Sequence, residues 1–351
     1  MPQRSSATRP TMADVAREAN VSVTTVSYVI GGRRGSPAGD RISADTRQRV
    51  LDAVETIGYR VNLPARNLRR QRTDHVLLLI DRLASPFSQH AAADIESVLI
   101  RNGLTMSIVI CPTPARLQSA LDMIPGRLAD GAIVLGSSNP ITPDILVRAA
   151  AQGVPLVSVS TLVPDGFDVA QTHDEDLAIG QAIDHLVELG HKRIAFIGHL
   201  PDQSRPETRF ESFRQRLLGH GLPVDHTFVR GGARVRHDAY IGARSLLDLT
   251  SSPTAVFSAS DIGGIATIWA AQRSGRRIPD DLAVIGCGNI DECRLVFPSL
   301  SSAGPAQPDY SMVATLLLQR LRDPARPGER HVFERWMFFP RESSTGSLLS
   351  T

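Results

Sequence analysis

Residues 21–30 read VSVTTVSYVI, and the fold of the N-terminal part turns on how they are read. Valine, threonine and isoleucine are poor helix formers, because a β-branched side chain loses χ1 freedom against the preceding turn. Yet Val26, Val29 and Ile30 recur at the i, i+3, i+4 spacing of one helix face. A helix from about Val23 to Ile30, capped by Ser22, is therefore expected, with Val23, Thr24 and Tyr28 left on its other faces. Upstream, TMADVAREA sets Thr11 and Asp14 at capping-box spacing ahead of Val15, Ala16 and Ala19, and NVS turns the chain between the two helices. Downstream, GGRRGSPAGD is a loop rich in Gly, Pro and charge. A third helix, ADTRQRVLDAVETIG, begins at Ser43 or Asp45, turns Val50, Val54 and Ile57 inward and ends at Gly58. Two short helices around a tight turn, braced by a third, make a helix-turn-helix unit over 11–60.

Charge sets this unit apart. Residues 1–72 carry 13 arginines against 6 acidic residues, net +7, while the remainder of the 351-residue chain nets −5. A basic head on a mildly acidic body points to a polyanion met by the head alone. Residues 61–72, following YR, form a basic linker; NLPARNLR (62–69) can be a short helix with Asn62 as cap and Pro64 in its first turn, too short to be stable alone. Hydrophobic content of 42% and charged content of 21% fit an ordinary soluble protein. Cys111, Cys287 and Cys293 show neither metal spacing nor a disulfide framework, and MPQRSSATRP lacks the apolar core of a signal peptide. No apolar run reaches transmembrane length. A reduced, cytoplasmic setting without membrane contact is expected.

From residue 74 onward, apolar strands alternate with helices. Strand candidates are HVLLLI (75–80), LTMSIVI (104–110), GAIVLG (131–136), VPLVSVS (154–160), RIAFIG (193–198), TAVFSAS (254–260) and LAVIGCG (282–288). Near-continuous Val/Ile/Leu runs mark strands buried on both faces, and βαβα order marks open parallel sheets. Two α/β lobes are expected, with a change of rhythm near 161–172. Ligands in such folds bind beyond the carboxyl ends of the strands.

MADVAREANVSVTTVSYVIGG, TRQRVLDAVETIGYRVN and ARNLRR resemble the DNA-binding head and hinge of the lactose/galactose-repressor family of bacterial transcription regulators. SPFSQHAAADIES, LGHKRIAFIG and PRESS resemble its effector-binding body, which has a periplasmic-binding-protein-like fold. The resemblance spans roughly residues 11–344. It implies a helix-turn-helix head (11–60), a hinge (61–72) and an effector-binding, dimerising body (73–344), with lobe 1 over about 73–162 and 300–332 and lobe 2 over about 163–299 and 333–344. It implies that Val23 and Thr24 read bases, their methyls meeting thymine methyls, while Ser22, Thr25 and Ser27 touch phosphates. Thr11, Arg33, Asn62 and Ala65 are marked as further DNA contacts, and Leu68 as an apolar wedge for the minor groove. Tyr28 departs from an arginine common in the family, and Val61 from a proline.

In the body the resemblance marks Ser85, Phe87, Arg209, Asp261 and Asn289 as effector-binding. An arginine and a carboxylate suit a hydroxyl-rich ligand, a sugar or nucleoside, through paired hydrogen bonds. VIGCGNIDECR, however, has Gly288 and Asn289 where the family has paired aspartates, so the sugar-binding set is incomplete. No cofactor and no metal are expected: GCG lacks the third glycine of a dinucleotide fingerprint, and HDED (173–176) reads as a solvated helix N-terminus. No nucleophile constellation supports catalysis. The expected protein is a dimeric, ligand-responsive repressor on a near-palindromic operator, its hinge helices ordering on double-stranded DNA. SLLST, without leucine heptads, gives no expectation of tetramers. An effector-independent regulator with a degenerate cleft, a solute-binding protein and an α/β enzyme are the alternatives.

Overall fold

The structure, a computed structural model, describes residues 10–30, 42–60, 67, 70–83, 86–126, 128–135, 143–159, 166–198, 208–232 and 235–345. They divide into two compact units that part between Gln71 and Arg72.

The first unit holds α1 (Met12–Glu18), α2 (Val23–Ile30) and α3 (Ala44–Thr56). The capping box forms as its spacing requires: Thr11 N–H donates to the Asp14 carboxylate (2.8 Å), and Asp14 N–H donates to Thr11 Oγ1 (3.3 Å). Asn20, at φ 51°, makes the turn, and Ser22 Oγ accepts from Thr25 N–H (3.0 Å) to start α2. At the far end of α3, Gly58 takes φ 66°, which lets Tyr59 N–H reach Val54 O (3.0 Å) and Gly58 N–H reach Glu55 O (3.2 Å), closing the helix. Six of the eight residues of α2 are β-branched, a propensity cost of at most about 4 kcal/mol. Val26 and Val29 are buried in a core of Val15, Ala16, Ala19, Val50, Ala53 and Tyr59, with Ile30 and Val21 packed on it. At roughly 1.5–3 kcal/mol per buried side chain, packing outweighs propensity and the helix holds.

The second unit is the two-lobed body. Lobe 1 contains β1 (His75–Ile80), α4 (Pro86–Arg101), β2 (Thr105–Ile110), α5 (Pro114–Leu121), β3 (Gly131–Leu135), α6 (Pro143–Ala151), β4 (Leu156–Val159) and β5 (Asp168–His173). Its parallel sheet has the order β2-β1-β3-β4-β5. Lobe 2 contains α7 (Glu175–Glu188), β6 (Ile194–Gly198), α8 (Thr208–Gly219), β7 (Val229–Gly231), α9 (Arg236–Leu247), β8 (Ala255–Ser258), α10 (Asp261–Arg273), β9 (Ala283–Cys287), α11 (Glu292–Leu295) and β10 (Ser301–Pro305). Its parallel sheet has the order β10-β9-β8-β6-β7. The chain then returns to lobe 1 as α12 (Ser311–Arg322), before β11 (Arg330–Phe339) and the short α13 (Glu342–Thr345).

One strand belongs to both lobes. Residues 330–335 of β11 lie parallel to β5, and residues 336–339 lie antiparallel to β10. This corrects the lobe limits expected from sequence. Val169 and Ala170, expected in lobe 2, pair with β4 in lobe 1, and residues 301–305, expected in lobe 1, pair with β9 in lobe 2 or with β11. The N-terminal end of β5 is pinned by Asp168, whose fully buried side chain takes Arg320 Nε at 2.7 Å from α12 and the Arg326 guanidinium from the turn before β11.

The central strands of each sheet are covered on both faces, which is why they read as unbroken apolar runs. Along β1, Val76, Leu78 and Ile80 join one buried cluster while Leu77 and Leu79 join the opposite one. In lobe 2 Phe196, Phe210, Phe213 and Phe257 stack together, with Phe196 and Phe210 edge to face at 5.1 Å.

Candidate nucleic-acid interface and effector site

In the N-terminal unit, α2 divides its residues by face. Val26 and Val29 anchor it; Val23, 48% exposed, and the exposed Thr24 occupy the first turn, outside the buried cluster. Ser22 and Thr25 share a hydroxyl–hydroxyl hydrogen bond of 2.9 Å at the helix start, and Ser27 and Tyr28 are half-buried. This presents small hydroxyl and methyl groups at a helix N-terminus, the end that carries the positive pole of the backbone dipoles. Thr11 is exposed beside α1, its hydroxyl held by Asp14 Oδ2 at 2.7 Å. The Asp14 carboxyl sits below its ordinary range because Thr11, through its side chain and then its backbone, and Arg17 hydrogen-bond the charged form. Arg33, Asn62, Ala65 and Leu68 lie outside the described residues.

In the body, α4, α8 and α10 follow the carboxyl ends of β1, β6 and β8, so Phe87, Arg209 and Asp261 stand near the starts of their helices. Phe87 belongs to lobe 1, half-buried and edge to face with Tyr310 at 5.3 Å. Ser85 lies outside the described residues. Arg209 belongs to lobe 2. Its Nε donates to Glu175 Oε1 (2.6 Å) and its Nη1 to Ala259 O (2.7 Å), and the guanidinium lies over the Trp336 ring, 5.1 Å from its centre. Glu175 is part of HDED, so one carboxylate of that segment orients an arginine. Trp336 comes from the strand shared between the lobes. Neither partner was legible beforehand: the contact joins α7, α8 and β11, which nothing in sequence spacing brings together.

Asp261 is 2% exposed, and both its oxygens are engaged. Oδ1 accepts from Ser302 Oγ (2.6 Å) and Oδ2 from Ile290 N–H (3.0 Å). Burial raises its pKa, against those hydrogen bonds, which favour the charged form. Room for this carboxylate comes from the departure noted in VIGCGN. A Cβ at Gly286 would stand 2.4 Å from Oδ1, and one at Gly288, where φ is +131°, 2.9 Å from Oδ2. Asn289, 9% exposed at φ 52°, is also tied inward: Nδ2 donates to Pro305 O (2.7 Å), and Oδ1 accepts from the Arg341 guanidinium. Asp261 and Asn289 are thus brought together, but on Ser302 and around the floor of lobe 2. PRESS is a staple of the same floor. Glu342 accepts from Ser299 N–H (2.8 Å), Ser343 accepts from Ser301 N–H (2.9 Å), and Ser344 meets Ser301 (2.7 Å) and His185 (3.0 Å). Among the described residues no group of three His, Cys, Asp or Glu side chains is placed to hold a metal ion, and no helix is long and apolar enough to cross a membrane.

Comparison with known proteins agrees with both halves. Residues 11–62 match "Bacterial regulatory proteins, lacI family", and residues 183–344 match "Periplasmic binding protein-like domain". The HTH-type transcriptional repressor CytR of Escherichia coli (strain K12) is 30% identical over 307 residues, 87% of either chain. The solved transcriptional regulator CelR–cellobiose complex is 29% identical, covering 96% of this chain and 100% of that one, with a TM-score of 0.66. The lac repressor dimer bound to operator and the anti-inducer ONPF, 21% identical over 96% and 99% of the two chains, shares the fold at a TM-score of 0.78. A small helical unit of this construction, joined to this two-lobed body, makes the chain a member of the LacI family of bacterial regulatory proteins.

Proposed function

We propose that this chain is a transcriptional repressor of the cytoplasm that binds a near-palindromic operator as a homodimer and releases or tightens its hold when a small polar effector binds the body. The observation that carries the DNA half is the first turn of α2, where exposed Val23 and Thr24 sit on a helix fixed from behind by Val26 and Val29. Such a turn can enter a major groove with its base-reading side chains foremost. Ser22, Thr25 and Ser27 supply neighbouring phosphate contacts, Thr11, Tyr28, Arg33, Asn62 and Ala65 further DNA contacts, and Leu68 the minor-groove wedge. Dimerisation through the body is supported by Leu295 and Phe297, 81% and 80% exposed beside α10, where Gln272 holds Phe297 O at 2.8 Å. Selection of duplexes from a random pool tests the reading: recovered sites should share two related half-sites, and a pool left unenriched would remove it.

For the effector, Arg209, Phe87 and Ser85 are the proposed contacts. Asp261 and Asn289, which the resemblance marks as further effector contacts, are held inside lobe 2 by Ser302 and Pro305 O. Because both are hydrogen-bonded internally, a second reading stands: a regulator that needs no effector. A thermal-shift screen over sugars and nucleosides separates the two. A ligand that raises the melting temperature of the wild type, but not of Arg209→Ala, supports the effector-responsive reading; no shift from any compound supports the other.

A further inference from the structure

The first residues of the body are tied down in an unusual way. Asp130, just before β3, is largely shielded, its side chain 11% exposed. Its Oδ1 accepts from Thr73 N–H (2.7 Å) and Thr73 Oγ1 (2.9 Å), and its Oδ2 accepts from Asp74 N–H (2.9 Å). Its own N–H donates to His75 O (2.7 Å). Arg72 Nε lies 3.8 Å from the same carboxylate. From the other side, Thr105 at the start of β2 donates its N–H to Asp74 O (2.9 Å) and places its hydroxyl 2.8 Å from His75 Nδ1. The backbone passes through the left-handed region at Gln71 (φ 53°) and again at Asp74 (φ 52°), conformations that residues other than glycine rarely adopt. Strained backbone of this kind persists only where its surroundings over-determine it. Three hydrogen bonds from Thr73 and Asp74 to one largely shielded carboxylate do that for Asp74, next to the point where the two compact units part.

We infer that Asp130 is a positioning residue that fixes where and in what direction the basic linker leaves the body, so that it controls operator recognition without touching DNA. This rests on the repressor reading above. A linker whose root is fixed delivers two heads to half-sites at a set spacing; a loosened root leaves each head able to bind phosphates but not both half-sites in register. Non-specific binding draws on the head's charges, which Asp130 does not alter. The effect should therefore fall on selective binding alone.

The test uses the full chain, a duplex selected from a random pool by the wild type, and an unrelated duplex of equal length. Asp130→Asn, which cannot accept all three hydrogen bonds, should weaken binding to the selected duplex about tenfold, in the ordinary range of coupling between sites. Affinity for the unrelated duplex and the salt dependence of that binding should stay as in the wild type. Thr73→Val, which removes one donor and keeps the shape, should give a smaller loss of the same selective kind even if Asp130→Asn folds poorly. Unchanged binding to the selected duplex, or an equal loss on both duplexes, overturns the inference. A wild type that enriches no sequence defeats the repressor reading itself, a result separate from the behaviour of the variants.

Discussion

Asp261 shows what one residue can decide. A buried carboxylate with its pKa raised binds its proton more readily folded than unfolded, so its contribution to stability is present below the unfolded value near 3.8 and is lost as pH rises through the folded value. Asp261→Asn keeps an oxygen for Ile290 N–H and an amide that can donate to Ser302 Oγ, but carries no charge. Its melting temperature, measured between about pH 4 and 7, should gain on the wild type as pH rises; a constant offset would show that burial does not penalise the ion. Asp261→Ala, which leaves Ile290 N–H unpaired in the interior, should lose roughly 1–3 kcal/mol. Sequence marked this residue by resemblance but not its inward turn, since the space it fills lies against Gly286 on β9 and Gly288 just beyond it. Val23 and Thr24, by contrast, were legible from helix period alone, because their exposure follows from which neighbours anchor.

Among elements, α3 offers a clean test of local signals. Ser43 caps it by accepting from Thr46 N–H at 3.2 Å, and Ser43→Ala should cost about 1 kcal/mol. In a unit with so small a core that loss should appear as an earlier melting of helix by circular dichroism, with the body's transition unmoved. If both transitions move together, the two units do not melt separately. The apolar strands β1, β3, β6 and β9 were legible to within a residue at each end and β8 to within two, because burial on both faces leaves an unbroken apolar run. Strands β5, β7, β10 and β11 were not. DVAQTH and SSAGP are short or rich in small polar residues, and RHVFERWMFF carries charges because Arg330 and Arg335 lie on a strand with an exposed side. Their pairing is set by neighbours far along the chain. Breaking the Asp168 clasp by Asp168→Asn should be costly, about 3–5 kcal/mol, since Arg320 and Arg326 are left beside a neutral side chain. Chemical denaturation measures it; a loss under about 1 kcal/mol would mean that the clasp is dispensable.

At the scale of the whole molecule, acid should loosen the body. Burial lowers the pKa of His75, His185 and His191, so the unfolded chain takes up protons first. Their contribution is whole above the unfolded value of 6.5 and is lost as pH falls below it. His185→Gln should shallow that fall in a series of melting curves, and an unchanged slope would assign the effect elsewhere. The division of labour is between a basic head that meets DNA and a body whose lobes share β11, with Trp336 of that strand against Arg209. It is tested most directly by measuring the full-length protein's affinity for a self-selected duplex against an unrelated one, for wild type, Val23→Ala and Thr24→Ala. The selected duplex should be bound far more tightly by the wild type, and each variant should lose about 1–3 kcal/mol on it while keeping its grip on the unrelated duplex. Equal affinity of the wild type for both duplexes would contradict a head that reads sequence.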